Sequence, residues 1–153
     1  MWQMIVTASD IRTLQRVEAG CPDAVVSRAI NQATEILRQM VGDTNLATIA
    51  ALPATDPVLI GGTVGNGYYE GLKNVMSEMV FALLAIENRV VTGFGTVAKV
   101  DEYSRDADFF DQCKAKEAHF REGVIRLCVL KGWAYSTPCT TYYTTKFFTN
   151  GRH

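Results

Sequence analysis

Residues 68–91, YYEGLKNVMSEMVFALLAIENRVV, set the tightest limit on what this chain can fold into. Leu72, Val75 or Met76, Met79, Leu83, Ile86 and Val90 recur in steps of three and four, which puts them on one face of a helix. Phe81, Ala82, Leu84 and Ala85 widen that face until the middle turns are apolar nearly all round. A helix of this kind has to be covered by other elements, so it is expected at the centre of the core. It is not expected to span a membrane, because Lys73, Glu78, Glu87 and Arg89 interrupt it well short of the ~20 apolar residues a bilayer needs.

What covers it can be read on either side. Thr7-Ala-Ser-Asp10 has the shape of a capping box and predicts a short helix over roughly 8–18, burying Ile11, Leu14 and Val17 and ending at Gly20. Pro22 and Asp23 then open a second helix. Its stripe of Val25, Val26, Ala29, Ile30, Ala33, Ile36, Leu37, Met40 and Val41 lies opposite Arg28, Asn31, Gln32, Glu35, Arg38 and Gln39, and Gly42 stops it. Asp43 or Thr44 is placed to cap a brief segment from Leu46 to Leu52. Beyond the central helix, the spacing predicts a last long helix from about Ala107 to Lys131, closed by Gly132. Phe109, Phe110, Cys113, Phe120, Val124, Leu127, Cys128 and Leu130 are its expected buried side, with Lys114, Lys116, Glu117, Arg121, Glu122 and Arg126 outside. Trp133 is expected to close the core beneath it.

Three stretches break the helical pattern. PATDPVLIGGTVGNG, residues 53–67, carries two prolines and four glycines and reads as a loop, a flexible linker or turn. It lacks the lysine and Ser/Thr of a phosphate-binding loop. After Gly93 and Gly95, Thr96 to Val100 alternates as a short strand would. The acidic run Asp101, Glu102, Asp106, Asp108 and Asp111 follows; without calcium-loop spacing it reads as helix capping, with Ser104 and Asp106, plus a solvated acidic face. The tail from Trp133 to His153 has no acidic residue and is rich in Thr, Tyr and Phe, so it favours extended structure. Two placements fit it equally: strand addition to a neighbouring chain, or a tail laid over its own core or left disordered.

The fold class expected is therefore all-α: a bundle of two or three long helices plus short ones, with a minor strand or hairpin. Residues 1–133 form the helical domain and 134–153 the extended tail. The 153-residue length suits one domain, and a formal net charge of −1 offers no bulk positive field for nucleic acid or anionic lipid. MWQMIVTASD lacks the features of a signal peptide. Cys21, Cys113, Cys128 and Cys139 are too widely spaced for a metal clip and more readily serve as reduced thiols in a cytosolic chain, Cys113 and Cys128 as small buried apolar residues.

No catalytic constellation is visible in local spacing, and no catalytic residue, metal ligand or cofactor is assigned. His119, with Glu122 as its nearest helical partner, reads as an exposed structural histidine. Glu78 and Glu87 stand nine apart, nearly opposite around their helix, and do not make an acid–base pair.

Taken in order, TASDIRTLQRV, PDAVVSRAINQATEILRQMVG, the central helix, TGFGTVAKVDEYSRDAD and a final helix ending at Gly-Trp resemble the small helical head–tail connector proteins of tailed bacteriophages. The resemblance covers about residues 4 to 133. It implies a structural virion protein, made in the host cytoplasm and resident at the head–tail junction. Such proteins form rings, commonly of twelve copies, that bind the portal and the next neck or tail protein and let DNA pass without sequence-specific binding. On that reading Asp101, Glu102, Asp106, Asp108 and Asp111 are candidates for a channel wall. The 53–67 loop, the 92–106 segment and the tail, with Tyr142, Tyr143, Phe147 and Phe148, are candidate subunit or partner contacts. The alternative is a monomeric or dimeric cytosolic helical-bundle module that binds a ligand or regulates a partner.

Overall fold

In a computed structural model, the residues described are 5–86, 90 and 107–137, the side chains of 107–110 excepted. The order is α1 (Ala8–Leu14), α2 (Asp23–Val41), α3 (Asp43–Ala50), α4 (Pro57–Ile60), β1 (Gly62–Val64), β2 (Gly67–Tyr69), α5 (Leu72–Ile86) and α6 (Ala107–Lys131). The chain is mostly helical with one small antiparallel hairpin. The expected strand at Thr96–Val100, the caps at Ser104 and Asp106, Glu87, and the tail residues Tyr142, Tyr143, Phe147 and Phe148 lie outside the described residues.

α5 is the centre. Every residue from Met79 to Ala85 is buried, as are Leu72, Val75, Met76 and Ser77. α6 covers it most extensively, then α2, with α1 and α4 closing smaller gaps. Each large apolar side chain removed from water here contributes about 1.5–3 kcal/mol. α5 starts at Leu72 rather than Tyr68, because Tyr68 and Tyr69 belong to β2 and Gly71 turns the chain at φ 106.

The caps explain the remaining boundaries. Thr7 and Asp10 form the reciprocal capping box of α1. This helix is shorter than the 8–18 expected. Gln15 turns extended, leaving Leu14 exposed and carrying Val17 to a bridge with Val90. Gly42, at φ 88, ends α2 and immediately starts α3, so the third helix begins at Asp43 and not near Leu46. Asp43 sits in its first turn and pairs with Arg38 at 3.2 Å rather than capping. α6 ends in a Schellman motif: Gly132, at φ 71, donates to the Val129 carbonyl, and Trp133 N–H reaches the Cys128 carbonyl at 2.8 Å. Trp133 is partly buried against the core.

The glycine-rich stretch is not a plain loop. Asp56 caps the single-turn α4, with Pro57 at its start. β1 and β2 then pair as Gly62–Tyr69, Thr63–Tyr68 and Val64–Gly67 around a two-residue turn, Gly65-Asn66. Gly61 and Gly71 meet back to back at the root: a Cβ on Gly71 would stand 2.9 Å from Gly61 N, and one on Gly61 2.9 Å from the Glu70 carbonyl. The glycines serve close approach, which conceals three-residue strands from any reading of periodicity.

Candidate functional site

The feature with most chemistry lies where α6 crosses α5 and the hairpin. The two helices run antiparallel, since contacts pair Lys116 with Phe81, His119 with Glu78, Gly123 with Val75 and Arg126 with Tyr68. Gly123 is the point of closest approach. A Cβ there would stand 2.6 Å from Val75 Cγ1, so only glycine lets the helices come this near. Tyr69 is buried beside it and donates its hydroxyl to the Gly123 carbonyl at 2.9 Å. Burial, reinforced by the charges of Glu70 and Cys128, pushes this phenol above the usual tyrosine range.

One turn earlier, His119 stands between two carboxylates. Its Nδ1 bonds Glu78 Oε1 from α5, and its Nε2 lies 2.9 Å from Glu70 Oε2 and 2.8 Å from Oε1, just after β2. A neutral imidazole has one N–H and one lone pair, so only the imidazolium donates to both. Partial burial opposes that charge, but the hydrogen bonds and charges of Glu78 and Glu70 outweigh it and raise the histidine above its ordinary value. The expectation of Glu122 as the nearest partner is thus corrected: the side chain is 40% exposed, but its partners are 41 and 49 residues away, which helical spacing cannot display. Chemically, an imidazolium donating from both nitrogens is a fastening and has no lone pair with which to take a proton.

Around it lies an open groove of about 340 Å³ lined by Tyr68, Tyr69, Glu70, His119, Glu122, Gly123 and Arg126. Arg126 reaches the Tyr68 carbonyl at 3.4 Å. One turn before His119, Gln15 links Lys116 (3.0 Å) to Ser77 (2.9 Å), and Ser77 donates on to the Asn74 carbonyl.

A second correction concerns Glu117 and Arg121, expected outside. They are 1% and 9% exposed and pair at 3.1 Å, while Arg121 Nε and Nη1 are buried without a hydrogen-bond partner among the described residues. The sequence carried a signal for this. Cys113, Phe120, Val124, Leu127 and Cys128 are all buried, and 117 and 121 fall on the same stripe.

Of the acidic residues expected to line a channel, only Asp108 and Asp111 fall on the described residues. Asp111 is exposed on α6 and Asp108 lies in its first turn, whereas Asp101, Glu102 and Asp106 are outside the described residues. Cys21, Cys113 and Cys128 are buried. Among the described residues no three His, Cys, Asp or Glu side chains converge as metal ligands, and no helix is long and apolar enough to cross a membrane. The two carboxylates on His119 face opposite ring nitrogens, which explains why they do not make such a site. Comparison of the chain with protein-family models, with curated proteins and with solved structures found no match.

Proposed function

We propose that this chain is a structural subunit of a phage head–tail connector, assembling with copies of itself into a ring below the portal that continues the DNA channel. The observation that carries this reading is the order and extent of the helices on which the resemblance rests. A capped short α1 is followed by α2 opening after Pro22-Asp23, then by the enclosed α5, and α6 ends at Gly132-Trp133. The reading gives the acidic run from Asp101 to Asp111 the role of a wall that repels phosphate, and gives the tail from 134 onward the role of joining neighbours. A deep apolar pocket flanked by Glu78 or Glu87 would favour the ligand-binding alternative; Glu87 lies outside the described residues, and Glu78 is engaged by His119, whose groove is open.

Native mass spectrometry with negative-stain imaging at high protein concentration tests the proposal. Closed rings with an open centre are the expected result, and removal of residues 138–153 is then expected to weaken them. A compact dimer carrying a bound small molecule overturns it.

A further inference from the structure

We propose that His119 is a proton-operated clasp. As an imidazolium it ties α6 both to α5, through Glu78, and to the hairpin's return into α5, through Glu70; on losing its proton it releases the Glu70 side. The proposal is independent of the connector reading.

The geometry has three parts. First, the two carboxylates come from different places, one within α5 and one on the link after β2, so a single ring on α6 joins two adjoining segments that are distant from it in sequence. Second, a deprotonated ring nitrogen would turn its lone pair toward a carboxylate, and one of the two contacts must become repulsive. Third, the partners differ in freedom. Glu78 is held in the middle of α5 with 24% of its side chain exposed, whereas Glu70 is 38% exposed and follows a two-stranded hairpin. The weaker anchorage is at Glu70, so that side opens.

The surroundings favour the charged ring and contain few competitors. From the hairpin side, Tyr68, Tyr69 and Glu70 face the groove; from α6 itself, Glu122 and Arg126 do. On α5, Glu78 is in contact, while Lys73 is turned to Asp10 at 3.4 Å. Lys116, one turn before His119, is committed to Gln15. A histidine whose value is raised by folding adds stability that is complete below its unfolded value of about 6.5 and is lost as pH rises through the folded value. The clasp is therefore closed at acid pH and opens as pH rises through a value above about 6.5.

The test follows His119 Cε1–H by NMR from about pH 5.5 to 8.5, assigned by its loss in His119→Gln, alongside hydrogen exchange of the hairpin amides 62–69 corrected for intrinsic rates. The expected result is a titration above about 6.5, with hairpin exchange quickening several-fold across that same transition. His119→Gln and Glu70→Gln should both remove the step, whereas Glu122→Gln should leave it in place. A titration at or below the ordinary histidine value overturns the proposal. So does hairpin exchange that shows no step in the native protein, or one that persists in Glu70→Gln.

Discussion

α2 and α6 both lie along α5, yet they meet it in opposite ways. α2 separates its faces: Val26, Ala29, Ile30, Ala33, Leu37 and Met40 are buried, while Arg38 pairs locally in solvent with Glu35 and with Asp43. α6 instead places Glu117, Arg121 and His119 among or beside its buried apolar residues and narrows at Gly123 to admit α5. α2 meets α5 through apolar area. α6 adds to its own apolar area a few polar contacts of fixed geometry, which specify its register and leave it sensitive to single changes.

Five variants would break or sharpen that contrast, each read as a shift in denaturant midpoint. The largest effect is expected from Glu117→Ala, which strands the Arg121 charge in the interior at a cost of about 3–5 kcal/mol. The paired change Glu117→Leu with Arg121→Met should return stability to near the native value, because it removes both charges. Gly123→Ala forces a methyl into Val75 and should cost about 1–3 kcal/mol, although alanine is ordinarily the better helix former. Tyr69→Phe removes one buried hydrogen bond and should cost about 1 kcal/mol. Arg38→Ala on α2 should leave the midpoint unmoved, since both of its ion pairs are in solvent. If Arg38→Ala proved as damaging as Gly123→Ala, the contrast would fail.

The same division decides what could be read in advance. The capping box at Thr7, the stripe of α2, the enclosed α5 and the bounds of α6 all follow from residues within a few turns of one another. The His119 cluster does not, because Glu70 and Glu78 are brought to it only by the antiparallel crossing of α5 and α6. The hairpin was hidden for another reason. Its strands are three residues long, and Tyr68 and Tyr69 extend the helical pattern of α5 without breaking it. Glu117 and Arg121 were legible by position and misread by chemistry: their spacing put them inside, and their charge argued for outside.

The glycine neck at Gly61 and Gly71 has a consequence for the order in which the chain assembles. Its two sides are close in sequence, and hairpins of this size form in about 1–10 μs. Two strands alone are at best marginally stable, and Gly65 and Gly67 abut Leu130 and Arg126 of α6. This local contact must therefore form and dissolve repeatedly until the distant end of α6 arrives to arrest it. Early closure and late commitment then belong to the same few residues, and α6 docking becomes the step that the hairpin reports.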